Sequence, residues 1–326
     1  MTIPTSPIPL VELVRNGLRE GVHHGSVVVL GPDGSVRYSA GDVTTPMYPR
    51  SSNKPAQAAG MLRAGLDLPE DADLAVAAAS HSGEPAHLLR IRDLLQRHGL
   101  TEAALQCPTD WPLRETERDE RAAERSGKQR ITMNCSGKHA AMLATCVQRG
   151  WAVEDYLDPK HPLQVTLHNT IAELAGEPIV ATGVDGCGAP LLSISLTGLA
   201  RSFANLVPSG SPQRRVADAM RAHPWLVAGT EREDTRLMQA VPGLLSKSGA
   251  EGVLAMALPD GHAVAIKISD GAARARVPVA VGALRAFGPG NAGGVDDEWL
   301  TALAEEPLLG GGKPVGTVRL LPGAFG

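Results

Sequence analysis

Gly252-Val253-Leu254-Ala255-Met256-Ala257 and Ala263-Val264-Ala265-Ile266-Lys267-Ile268, joined across Pro259-Asp260-Gly261, decide the fold. Each is an apolar run of strand length, and Pro-Asp-Gly between them is turn chemistry. Two strands joined this tightly run antiparallel. A similar pair stands near the N-terminus, where residues 26–30 and 35–39 flank Gly31-Pro32-Asp33-Gly34. A further strand is expected at 316–321 and a short one at 178–182. The spacing predicts helices over 58–66, 87–96, 162–174, 191–206, 213–222, 274–287 and 296–305, and an Ala-rich one ending at Gly150. Residues 74–79 read as a buried element, and 107–130 as a polar excursion without a clear period. Strands at both ends and helices between them predict an α+β protein, its antiparallel sheet backed by helices. No linker or repeat divides the chain, so residues 1–326 read as one catalytic unit with a central helical region.

The 326 residues are 43% hydrophobic, 20% charged and only 3% aromatic. That is globular composition with a core of Ala, Val, Leu and Ile. A net charge of −4 gives no reason to expect nucleic acid or an acidic membrane as partner. No apolar run approaches the roughly 20 residues of a membrane span. The first residues lack a signal-peptide pattern, and a cytoplasmic location is expected. Cys107, Cys135, Cys146 and Cys187 then read as thiols or metal ligands.

Three polar signals fall at element boundaries. Arg50-Ser51-Ser52-Asn53-Lys54-Pro55 opens a helix, Ser80-His81-Ser82-Gly83-Glu84 follows the buried run 74–79, and Lys247-Ser248-Gly249 precedes the hairpin. Ser51 and Lys54 are one helical turn apart. An unprotonated lysine can take the proton of a serine hydroxyl and make it a nucleophile. Taken singly, Ser51 is a helix cap, Ser80 a turn former and Lys247 a surface lysine. Together they form an acyl-transfer set. Farther along, Cys135, Cys187 and His139 could hold zinc, or the cysteines could be buried thiols. Lys138, near Cys135, is an unusual ligand because it must lose its proton. Asp185 could grip an ammonium or simply form a turn.

These motifs resemble the L-asparaginase II family. The matching stretches are Arg50-Ser51-x-x-Lys54-Pro55-Ala56-Gln57, Ala79-Ser80-His81-Ser82-x-Glu84, Asn134-Cys135-Ser136-Gly137-Lys138-His139, Asp185-Gly186-Cys187, His223-Pro224 with Val227-Ala228-Gly229, and Lys247-x-Gly249-Ala250. The resemblance implies a fold similar to serine β-lactamases, penicillin-binding proteins and serine-dependent glutaminases. It implies two serine–lysine pairs around one site, Ser51 with Lys54 and Ser80 with Lys247. It implies one zinc ion per chain on Cys135, Lys138 and Cys187, modulating rather than performing the reaction, and a homodimer. Arg50, His139 and Asp185 match pocket-lining positions. The expected reaction is hydrolysis of L-asparagine to L-aspartate and ammonia. Alternatives are a glutaminase or β-lactam hydrolase on the same scaffold, or a non-catalytic amino-acid or metal-binding protein. The chain is shorter than the family pattern between Cys187 and Lys247 and at its C-terminal end.

Overall fold

The computed structural model describes residues 6–288 and 297–325. The strands are β1 (Ile8–Arg15), β2 (Leu18–Leu30), β3 (Val36–Ala40), β4 (Thr182–Val184), β5 (Pro190–Leu192), β6 (Leu245–Gly249), β7 (Val253–Ala257), β8 (Ala263–Ile268), β9 (Glu305–Gly310) and β10 (Lys313–Leu320). The helices are α1 (Lys54–Ala64), α2 (Asp71–Ala77), α3 (Pro85–Arg97), α4 (Glu115–Ala123), α5 (Ser136–Arg149), α6 (Pro162–Ala175), α7 (Leu196–Ala204), α8 (Arg214–Ala222), α9 (Pro224–Val227), α10 (Glu233–Ala240), α11 (Arg276–Phe287) and α12 (Asp297–Ala304). A 3-10 turn, Arg50–Asn53, leads into α1. The expected α+β class with an antiparallel sheet is found. Several boundaries differ. The buried element at 74–79 is mostly α2, the strand foreseen at 178–182 begins only at Thr182, and the helix foreseen at 191–206 is β5 followed by α7. Asp296, in the helix foreseen at 296–305, lies outside the described residues.

The chain forms two compact units. The first comprises Met1–Ser52, Ile194–Pro208 and Arg236–Gly326. Its eight-stranded sheet runs β6-β7-β8-β2-β1-β10-β9, with β3 paired to β2. Strand β2 is long because it has two partners on one side. Its first half pairs with β1 and residues 27–30 pair with β3, while 25–30 pair with β8 on the other side. Side chains alternate between faces along each strand. Leu254, Met256, Val264, Ile266 and Ile268 therefore share one face and pack with Val279, Ala280 and Ala283 of α11. Ala255 and Ala265, paired with each other, lie on the opposite face.

The second unit comprises Asn53–Ser193 and Ser209–Thr235. It is helical apart from the small β4–β5 hairpin. Its centre is α5, buried from Ser136 to Cys146, with α1, α2 and α3 packed on it. Helix α1 is buried along almost its whole length, on Ala56, Ala58, Ala59 and Met61. Small side chains let these helices approach closely, which suits a core with few aromatics.

Candidate active site

In the second unit, the site is built on the start of α1 and the chain leaving α2. Lys54 is the first residue of α1 and only 1% exposed. Its Nζ donates to the Ala79 carbonyl at 2.6 Å and to Ser80 Oγ at 2.9 Å. Ser80 is itself buried. Pro55 does no harm to α1, because the first turn of a helix needs no backbone donor there. A lysine is rarely this deep, since an ammonium without partners is costly inside a protein. Next to it, Asn53 Oδ1 is buried and has no hydrogen-bond partner. An acceptor of that kind, beside a buried amine, gave no signal in the sequence.

The first unit carries the other members of the expected set. Ser51 sits half-buried in the 3-10 turn, and Ser52 Oγ is turned inward to donate to the Pro49 carbonyl at 2.5 Å. Lys247 is not the surface lysine that its residue type suggests: it is fully buried in β6. It pairs with Ala255 and so shares that residue's face, and its Nζ donates to the Ser248 carbonyl at 2.7 Å. Two residues on, Gly249 lies against the backbone that bears the serines. A Cβ there would fall 2.6 Å from Pro49 O, 3.0 Å from Ser52 N and 3.3 Å from Ser51 N. Only glycine lets this strand end come so close. Arg276 Nη1 donates to the Gly249 carbonyl at 2.5 Å and holds the strand end in place. Arg50 pairs with Glu251 at 3.5 Å, and both have left-handed backbones, with φ of 54° and 60°. Side chains of that size rarely adopt this conformation.

The structure thus joins Lys54 to Ser80, a pairing that crosses the two expected from the family motifs. It also gathers the expected metal ligands in the second unit. Lys138 Nζ donates to Cys187 Sγ at 3.1 Å, and Cys135 Sγ donates to Asn134 Oδ1 at 3.0 Å. The Cys135 side chain beside it holds the Cys187 thiol far below its usual range, while Cys187 and burial push Cys135 well above its own. Burial acts to lower Lys138, but the two sulfurs outweigh it and raise the amine. His139 Nδ1 meets the Tyr156 hydroxyl at 2.7 Å, while its Nε2 is buried without a hydrogen-bond partner. Asp185 is half-buried in the β4–β5 loop, its Oδ2 3.6 Å from Cys187 Sγ.

Two sulfurs and an amine fit zinc in donor type, as does an imidazole fixed through its other nitrogen. Among the described residues, no group of three or more His, Cys, Asp and Glu side chains could hold a metal ion. Any such site depends on Lys138. Burial pushes the Cys107 and Cys146 thiols up to about 11 and about 12, with Cys187 adding to the effect on Cys107. Sequence reasoning gave no role to Tyr156, although it orients His139.

A buried amine bonded to a buried serine on an antiparallel α+β scaffold has the chemistry of an acyl-transfer centre. The chain matches the L-asparaginase II family over residues 11–320 and belongs to that family. Membership supports an amidohydrolase. Among solved structures, similarity is found to Mglu in its native form, at 13% identity and a TM-score of 0.45, covering 83% of this chain and 65% of that one. A β-lactamase from Mycobacterium bovis is 17% identical, TM-score 0.43, with 81% and 95% covered. A putative β-lactamase from Bacteroides dorei is 15% identical, TM-score 0.41, with 75% and 84% covered. The chain thus spans just under two thirds of the length of Mglu. No curated protein sequence matches it. No helix among the described residues is long and apolar enough to cross a membrane.

Proposed function

We propose that the protein hydrolyses the side-chain amide of L-asparagine to L-aspartate and ammonia. The observation that supports this most is the hydrogen bond from the buried Lys54 amine to Ser80 Oγ at 2.9 Å. Lys54 in its unprotonated form takes the serine proton, and the serine oxygen attacks the amide carbon. The carbon–nitrogen bond breaks, and the proton passes to the departing nitrogen, which leaves as ammonia. Water, giving its proton to Lys54, then cleaves the ester and restores the serine. The hydrogen bond favours Ser80 as the attacking alcohol; the family motif favours Ser51. Ser51 and Lys247 serve in this reading as the second alcohol and amine that route the proton.

Arg50 and Asp185 are proposed as anchors for the α-carboxylate and α-ammonium, with His139 lining the pocket. Zinc, where bound, would be held by Cys135, Lys138 and Cys187 and would supply a fixed positive charge and Lewis acidity. Lys138 must give up its proton to join it. Among the alternatives, a glutaminase or β-lactam hydrolase needs the same amine–alcohol pair. A homodimer is part of the proposal and is read by light scattering.

The test is ammonia release from asparagine, compared with glutamine and with turnover of a chromogenic β-lactam. Asparagine is expected to be the fastest. Loss of at least about a thousandfold in Ser80→Ala, with Ser51→Ala less affected, places the nucleophile at Ser80; the reverse order places it at Ser51. Tight asparagine binding without ammonia would overturn the enzymatic reading. Chelation is expected to raise KM and leave kcat within a few fold.

A further inference from the structure

Ser80 lies on a loop stitched to a second loop at alternate residues. The Ser80 amide donates to the Val227 carbonyl at 2.9 Å, Ser82 Oγ to the Ala228 carbonyl at 2.8 Å, and Glu84 reaches Thr230. The last contact is the strongest. The Glu84 carboxylate accepts from Thr230 N at 2.8 Å, from Thr230 Oγ1 at 2.7 Å and from Arg114 Nη1 at 2.5 Å. The residue is only 4% exposed. Arg114 also donates its backbone N–H to the Ser82 carbonyl at 3.1 Å.

The helix does not account for this carboxylate. Glu84 occupies the N-cap position of α3, yet its side chain caps no backbone N–H there. Instead it reaches across to the other loop. Gly229 makes that reach possible. Its φ is +127°, and a Cβ would fall 2.4 Å from Ser82 Oγ and 2.5 Å from Glu84 Oε1. The far loop is fixed in turn: Trp225 Nε1 donates to Thr230 Oγ1 at 3.0 Å, and Thr235 Oγ1 to the Gly229 carbonyl at 2.8 Å.

We infer that Glu84 is a positioning residue for Ser80, clamping the 80–84 loop through Thr230 and Arg114 so that the hydroxyl stays on Lys54. Glu84 itself has no bond to Ser80 or Lys54; it acts through the loop. The inference rests on the proposed role of the Lys54–Ser80 pair. Charge-assisted bonds to a buried carboxylate are short and directional, which suits a clamp. Reacting groups need that exactness, since a shift of about 1 Å can cost about a hundredfold in rate.

The experiment compares wild type with Glu84→Gln, Glu84→Asp and Thr230→Val. It reads kcat and KM for asparagine, the rate at which a sulfonyl fluoride labels Ser80 (by mass spectrometry), and thermal melting. Glu84→Gln is expected to lower kcat by about 10–100-fold with KM within about threefold, and to slow labelling by a similar factor. Glu84→Asp should recover part of both. Combining Glu84→Gln with Thr230→Val should cost less than the sum of the two, because both break one clamp. A lowered melting temperature with labelling and kcat unchanged at a temperature where the variant is folded would make the clamp merely structural and overturn the inference. Failure of the wild type to label at Ser80 would overturn it as well. Glu84-dependent labelling in a protein that releases no ammonia from asparagine would leave the clamp standing and overturn the substrate.

Discussion

Lys54, Lys138 and Lys247 are each almost wholly out of water. Lys54 donates to a hydroxyl and a carbonyl, Lys138 to a sulfur, and Lys247 to a carbonyl among its partners. Lysine is among the residue types least expected at such depth, and the proposed function gives all three a part. Lys54→Met separates the two. It fills similar volume without the amine, so stability should change by no more than about 2 kcal/mol in urea melts. Ammonia release should fall at least about a thousandfold. The neighbouring histidines set a pH dependence of their own. His81 is fully buried, its Nε2 on Ser136 Oγ at 2.8 Å and its Nδ1 accepting from Gly83 N at 3.1 Å. Burial holds it well below its usual value, with His87, Lys54 and Arg232 adding to the effect, and burial lowers His87 too. Both are depressed in the fold, so the unfolded chain takes up the protons first. Stability is complete above the unfolded value of about 6.5 and declines as pH falls below it toward the folded values. Melting curves from pH 8 to pH 5 should show the decline beginning near that value, and His87→Gln should make it shallower.

At the scale of elements, the strand end at Gly249 is where sheet and serine-bearing turn are set against each other. Gly249→Ala puts a Cβ into Pro49 O and the Ser52 amide. The clash is with backbone, which cannot rotate away. Unfolding in urea should show a loss of about 1–3 kcal/mol. On the proposed proton route through Lys247, which rides on the same strand, activity should fall further than stability at a temperature where the variant is folded. How legible these elements were follows from their surroundings. The β7–β8 hairpin was plain because both strands are buried and apolar and a Pro-Asp-Gly turn joins them. Strand β9 was invisible: Glu305, Glu306 and Pro307 open it and only Leu308 is buried. Residues 74–79 carried too many alanines to tell helix from strand. At the site, the sequence supplied residue types and their order. It could not supply depth, which turned Lys247 from a surface residue into a buried one. Nor could it show that Lys54 reaches forward to Ser80, or that Glu84 bonds to a loop 146 residues away.

On the scale of the whole molecule, the two ends of the chain meet in one sheet. Strand β1 pairs with β10 from Val11↔Leu320 to Arg15↔Gly316, and β9 forms the outer edge beyond it. An edge strand presents unpaired backbone groups and invites another chain to add on. Here the edge carries Glu305, Glu306 and Pro307, all exposed. Two like charges repel a second copy of the same edge, and proline supplies no N–H for a partner to accept. The proposed homodimer would then form elsewhere than by continuing the sheet at β9. Replacing all three residues by valine removes both defences and raises strand propensity. The variant should keep its fold and its ammonia release per folded chain, yet associate into species larger than the wild type in light scattering, increasingly with concentration and salt. An unchanged scattering mass for the triple variant would show that these residues do not guard the edge.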